Sequence, residues 1–288
     1  MSMALGWLIG IVMHQGFAPG TTMEKLTIRG VPLEIYAYKP PHYSGDKMIM
    51  VFHGVNRNAD EYRDHAKTLG DRFNALIIAP KFDTERFPSR RYQRGGILKE
   101  DGSAAPTEDW TYAFIPDLAK AIREREDRPK MKYWLIGHSA GGQFLVRLAA
   151  FQKTDAERIV AANAGSQLFP TTTMNFGYGY GKLPPELASE TLLRQYLAQP
   201  LTLYQGSGDN VPDEYFDGSA EANQQGGGRY QRGFANFEFA KKLAAEKGWE
   251  FNWRFVVARG VVHDHEAMFK HPIVEIALFG KYDSANSK

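Results

Sequence analysis

The chain has 288 residues, 43% hydrophobic and 24% charged, a balance that permits a sizeable core and excludes a disordered chain. A net charge of +2 gives no electrostatic case for nucleic acid or an anionic surface as partner. The absence of cysteine excludes disulfides and cysteine-ligated metals.

At the N-terminus, Ala4 to Met13 is an apolar run of ten residues, too short to span a bilayer. Two readings stand side by side. It has the length of a signal-peptide core, followed by the small-x-small pattern Gly16-Phe17-Ala18, but without a basic flank. It also suits a helix packed on the body. The first reading places the protein outside the cytoplasm, secreted or periplasmic; the second leaves it cytoplasmic. No other stretch suggests a membrane span. Residues 1–20 are therefore set apart, and residues 21–288 are expected to form a single domain.

From there, "MEKLTIRGVPLEIYAYKP" predicts two short strands around Gly30. "KMIMVFHG" contains an unbroken apolar strand, Met48 to Phe52, of the kind found inside a parallel sheet. "ADEYRDHAKTLGDRF" predicts one helix and "ALIIAP" the next buried strand, with a polar loop over 81–108. "YAFIPDLAKAIRERED" predicts a helix perturbed by Pro116, then "KYWLIG" a strand, "GGQFLVRLAAFQ" a helix and "RIVAANAG" a strand. Residues 166–199, rich in Thr, Gly, Tyr and Pro, lose all period and are expected as an irregular cover over one end of the sheet. "PLTLYQG" (strand), "FANFEFAKKLAAEKG" (helix), "EFNWRFVVA" (strand) and "DHEAMFKHPIVEIALF" (helix with an internal proline) complete the series. The alternation places the chain in the α/β class, with a mostly parallel central sheet and helices on both faces. Ligands of such sheets sit at the carboxyl ends of the strands.

One turn at such an end carries chemistry. Gly137 to Gly141 matches Gly-x-Ser-x-Gly between a predicted strand and a predicted helix. A sharp turn there forces Ser139 into an unfavourable backbone conformation and lifts its hydroxyl above the sheet. A serine hydroxyl needs a base. His263, three residues after Gly260, follows a strand at the same end. His265 is the rival, expected to point away in the first turn of the closing helix. A two-histidine metal site lacks an evident third ligand, with His271 the remaining option, and no metal is expected. The base in turn needs a carboxylate. Asp209, three residues after Gly206 at another strand end, is the candidate, with Asp213 and Glu214 further out. An oxyanion would be held by the backbone N–H of Ala140, after the nucleophile, and by that of Val55 in the "HGVNRN" loop, with Asn56 as second choice. His53 is read as a structural support for that loop.

These motifs, in the order Ser139, Asp209, His263, resemble the α/β-hydrolase superfamily over nearly the whole chain, from "MVFHGVNRN" through "GHSAGG" and "GSGD" to "GVVHDHEAM". Bacterial esterases and polyhydroxybutyrate-depolymerase-like hydrolases are the most similar in their HG-x-N loops. Where such proteins more often carry small residues before the histidine, this chain has Val261-Val262. The resemblance implies cofactor-free hydrolysis of carboxylic esters, of small molecules or of a polyester. An amidase or peptidase using the same three residues and a non-catalytic binding protein on the same fold are the alternatives. Asn56, His138 and the aromatics Tyr178 and Tyr180 of "FGYGYG" are candidate substrate contacts. Arg90, Arg91 and Arg94 in "PSRRYQRGG" suit a solvated loop better than an acidic substrate. The glycines of "QQGGGRYQRG" follow no strand and predict no phosphate loop. Trp110 is expected in the core. The sequence leaves the oligomeric state open.

Overall fold

The computed structural model describes residues 16–280, so the apolar run Ala4 to Met13 and both readings of it lie outside the described residues. β1 (Gly20–Ile28) and β2 (Val31–Lys39) form an antiparallel hairpin. Its turn residues Arg29 and Gly30 both have positive φ, 53° and 76°, as a hairpin turn matched to strand twist requires. β3 (Lys47–Phe52), β4 (Leu76–Lys81), β5 (Lys132–His138), β6 (Arg158–Ala162), β7 (Leu201–Gly206) and β8 (Arg254–Ala258) complete an eight-stranded sheet in the order β1-β2-β4-β3-β5-β6-β7-β8. β2 is antiparallel to β4, and every pairing beyond β4 is parallel.

The helices are α1 (Ala59–His65), α2 (Lys67–Phe73), α3 (Phe114–Arg125), α4 (Ala140–Phe151), α5 (Glu190–Leu197), α6 (Ala220–Gln225), α7 (Arg229–Lys247), α8 (His265–Lys270) and α9 (Val274–Phe279). The period of two in each central strand feeds two cores. Met48, Met50, Phe52, Tyr133 and Leu135 face Leu118 of α3 and Phe144 of α4. Ile49, Val51, Trp134 and Ile136 face Leu69 of α2, Phe269 of α8 and Leu278 of α9. Burial on both faces explains why these strands read as unbroken apolar runs. Among the described residues no helix is long and apolar enough to cross a membrane.

Several boundaries differ from expectation. The helix expected over 59–73 divides at Ala66, which caps α1 and precedes α2. The closing helix divides at His271, whose extended backbone (ψ 132°) is what a following proline favours. Pro116 does not break α3, because it sits in the first turn, where the N–H groups have no intrahelical acceptor anyway. Residues 166–199 include a regular helix, α5, capped by the Ser189 hydroxyl accepting from Leu192 N–H at 3.4 Å. β8 starts only at Arg254: the Asn252 backbone N–H donates to Leu197 O (3.0 Å), and the Asn252 and Trp253 side chains bond the Ala198 and Tyr196 carbonyls, which holds this segment on the end of α5. α7 starts at Arg229 and runs through Gly233, where a Cβ would stand 2.7 Å from the Gln205 side chain.

Candidate active site

β5 leaves the sheet through His138-Ser139, and Ser139 adopts φ 57°, ψ −117°, a strained conformation for a residue with a side chain. The turn is pinned by Ser139 N–H donating to Ala162 O (3.0 Å) and by Gln143 N–H donating to Ser139 O (2.9 Å). Its glycines are imposed by close approach. A Cβ at Gly137 would stand 2.6 Å from the Gly141 carbonyl, and one at Gly142 would stand 2.6 Å from Ala162 O. Ala140 begins α4, as the expected geometry requires.

The loops after β7 and β8 are bonded to each other. Ser207 N–H donates to Ala258 O, Gly208 N–H to Val261 O (2.9 Å), and Gly260 N–H to the Ser207 hydroxyl (2.8 Å). This pairing sets His263 beside Asp209, with Nδ1–H donating to Asp209 Oδ2 at 2.7 Å and Nε2 left for the cavity. Val261 and Val262 contribute their backbone carbonyls to the arrangement, so small side chains are not needed at those positions; Val262 is exposed. Ser139 and His263 line one cavity of about 350 Å³ with Gly54, Val55 and Asn56. Among the described residues the Ser139 hydroxyl forms no hydrogen bond with His263. Such bonds are commonly long without substrate and tighten when it binds. Ser139 and Val55 also line a second cavity, of about 410 Å³, so the hydroxyl stands where two clefts meet.

Four residues that carried no mark in the sequence organise this centre. Arg229, in the first turn of α7, is buried and bonds Asp209 Oδ1 (3.1 Å) and both oxygens of Asp213 (2.9 and 2.7 Å). Asp213, a rival for the acid, is thus tied to the arginine and not to His263. Asn163, at positive φ (43°) after β6, accepts from Gly206 N–H (2.7 Å) and donates to Val262 O (3.1 Å), clamping the ends of three strands' loops. Arg232 donates to the Gly165 and Asp217 carbonyls, each at 2.7 Å, and ties together the segments over the second cavity. Arg147 of α4 does the same for Ser166 (3.0 Å) and the Gly177 carbonyl, and burial lowers its pKa to about 10. The positive φ of Asn163 and the burial of these arginines are tertiary facts with no periodic trace.

The histidines separate by environment. His53 is buried, donates Nδ1–H to Gly54 O and accepts from Phe82 N–H on Nε2, both at 3.0 Å. Burial pushes its pKa down to about 3, consistent with the expected structural role. His138, also buried, is held well below the ordinary range by burial, then by the charges of His263 and His265. Its ring lies 4.4 Å from that of His263 and it reaches the first cavity. His265 does begin α8, but it does not point away: it lines the same cavity, stacked on Tyr62 at 4.0 Å. Burial lowers its pKa to about 4. His271 is remote from this group and accepts from Ile273 N–H.

Of the other candidates, Asn56 lines the first cavity and Tyr178 the second, its hydroxyl donating to Asp217 at 2.7 Å. Tyr180 is corrected: it is buried between Phe151 and Tyr196 and reaches neither cavity. A turn at Gly177–Tyr178 sends the two tyrosines different ways, Tyr178 to the cavity and Tyr180 to the core. Trp110 is buried, as expected, its indole donating to Ala105 O. Arg90 and Arg94 line the second cavity, and Arg94 forms no ion pair among the described residues.

No family model and no curated protein matches the chain by sequence. Solved structures do. The poly(aspartic acid) hydrolase-1 of Sphingomonas sp. KT-1 is 30% identical, with 88% of this chain and 96% of that one covered and a TM-score of 0.82. LpqC, a poly(3-hydroxybutyrate) depolymerase from Bordetella parapertussis, is also 30% identical, with 93% of each chain covered and a TM-score of 0.83. The S-formylglutathione hydrolase of Staphylococcus aureus, 13% identical with 90% of this chain and 98% of that one covered, shares the fold at a TM-score of 0.54.

Proposed function

The chain belongs to the α/β-hydrolase superfamily of serine hydrolases, and on that premise we propose that it cleaves carboxylic esters through Ser139, His263 and Asp209. One observation carries this reading: a serine held at φ 57° shares a cavity with a histidine whose Nδ1–H is already fixed on a buried carboxylate. His263 Nε2 takes the Ser139 proton as the oxygen attacks the carbonyl carbon. Asp209 holds the tautomer and stabilises the imidazolium. The N–H groups of Val55 and Ala140 hold the oxyanion. The intermediate collapses to an acyl-serine, and the alcohol leaves with the proton from His263. A water, deprotonated by His263, then releases the acid and restores the serine. The two clefts meeting at Ser139 take the two sides of the scissile bond, under a cover made by 166–199 and the 209–228 segment.

A fluorophosphonate probe tests the assignment. It should label Ser139, and Ser139→Ala should abolish labelling and lower kcat by roughly 10⁴-fold or more. Labelling that persists in Ser139→Ala overturns it.

A second reading is hydrolysis of a polyanionic chain such as the poly(aspartic acid) that one similar protein is named for. The unpaired Arg94 in the second cavity favours it, since a guanidinium beside the nucleophile suits a substrate carboxylate. Release of aspartyl fragments from poly(aspartic acid), set against release from a poly(3-hydroxybutyrate) film and from p-nitrophenyl esters, decides between the two. Arg94→Ala should raise KM for the polyanion and leave neutral esters unaffected.

A further inference from the structure

Outside the groups assigned to hydrolysis, α1 and α8 bring together a second cluster of side chains. Glu61 and His65 are four apart on α1 and so lie on one helix face. His265, the first residue of α8, meets them from the other side of the chain. His65 Nδ1 and His265 Nε2 face each other at 2.8 Å, and His265 Nε2 lies 3.6 Å from Glu61 Oε1. One donor atom from each residue falls within 4.8 Å of the others.

We propose that Glu61, His65 and His265 form a binding site for a late first-row divalent metal ion of the zinc class. Two imidazole nitrogens and a carboxylate oxygen are the donor set such ions take, with solvent completing the shell. The surroundings already have the form of an outer shell. The Asn58 amide donates to Glu61 Oε2 at 2.6 Å, leaving Oε1 toward the histidines. The far nitrogen of His65, Nε2, stands 3.6 Å from the Glu266 carboxylate, so a carboxylate backs a histidine whose other nitrogen is the ligand. Tyr62, stacked parallel on His265 at 4.0 Å, fixes the plane of that ring. The adjustment required is small. Two nitrogens on a tetrahedral zinc stand about 3.3 Å apart, so the facing pair has to open by about half an ångström. Glu61 is exposed and the two histidines half-buried, which leaves a path for the ion.

The ion would join α1, which follows the oxyanion loop, to α8, which follows His263. It would therefore cross-link two segments 200 residues apart in sequence. This proposal does not depend on ester hydrolysis. It revises the expectation that the chain has no metal site, which rested on His265 lacking further ligands nearby in sequence.

The test is calorimetric titration of zinc chloride into the untagged, chelator-treated chain, with cobalt(II) absorption as a second readout of coordination. One saturable site is expected, accompanied by a higher Tm with zinc than with chelator. His65→Ala and His265→Ala should each weaken binding by roughly tenfold or more, and His271→Ala should not. Should His265→Ala fail to fold for want of the Tyr62 stack, His65→Ala and Glu61→Gln carry the test. The proposal is overturned if zinc binds no more tightly to the parent chain than to His65→Ala, or if no saturable binding is seen.

Discussion

Arg229→Met isolates the contribution of the buried cation to the acid–histidine pair. Arg229 and Asp209 are each only 1% exposed in their side chains, and their nitrogen and oxygen are 3.1 Å apart. At an effective dielectric of about 20, their Coulomb attraction is about 5 kcal/mol. The second partner, Asp213, is 35% exposed, so water takes over its solvation when the guanidinium is gone. Asp209 has no such recourse. It retains the His263 Nδ1–H on one oxygen and faces methionine with the other. Removing one member of a buried pair costs about 3–5 kcal/mol, and the loss here should fall in that range. Tryptophan fluorescence during urea and thermal unfolding reads it, with an expected fall in Tm of roughly 6 °C or more. Combining Arg229→Met with Asp209→Asn should be far from additive, since the second change removes the charge that the first leaves stranded. A loss below about 1 kcal/mol in the single variant, or full additivity in the double, refutes the claim that this contact holds the acid in place.

Ser139→Gly should be inactive yet more stable than the parent by about 1–2 kcal/mol, because glycine adopts φ 57° without the strain a side chain carries; urea unfolding reads the gain, and a loss contradicts the strain. Gly141→Ala should reduce stability by about 3 kcal/mol or more, since the new Cβ would strike the backbone carbonyls of Phe52 and His53; a soluble variant with unchanged Tm would show that the turn can open. Acid should destabilise the fold through His53. Its folded pKa of about 3 lies below the unfolded value, so its contribution is complete above pH ~6.5 and declines as pH falls from there toward the folded pKa. The decline is about 2 kcal/mol between pH 7 and 5, and a Tm that stays level over that interval excludes it.

The strands and the serine turn were legible because each is set by local physics. β3, β4 and β5 are buried on both faces over most of their length, and an apolar run suits such a position. The turn at Ser139 admits only glycine at points where backbone carbonyls would meet a Cβ, which writes its geometry into five consecutive residues. Helix ends were less legible. The split at His271 follows from Pro272, but the split at Ala66 has no breaker residue and reflects packing against the sheet. The sequence pattern starts α7 too late because Gly233 resembles a loop residue, whereas its missing side chain makes room for Gln205 on β7.

That misplaced helix start hid Arg229, and the consequence reaches the site itself. A sequence offers Asp209, Asp213 and Glu214 as near-equivalent acids on one loop, and spacing alone ranks them. The structure separates them by what surrounds each: Asp209 shares His263 and Arg229 in a closed interior, while Asp213 satisfies the other side of the same guanidinium at the surface. The guanidinium, held between the Asp209 and Asp213 carboxylates, fixes where Asp209 stands. Positional control is what a loop acid needs, because its strand ends at Gly206 and nothing in the sheet fixes the residues beyond. The clamp supplied by Arg229 and Asn163 therefore does for Asp209 and His263 what the glycines of the turn do for Ser139.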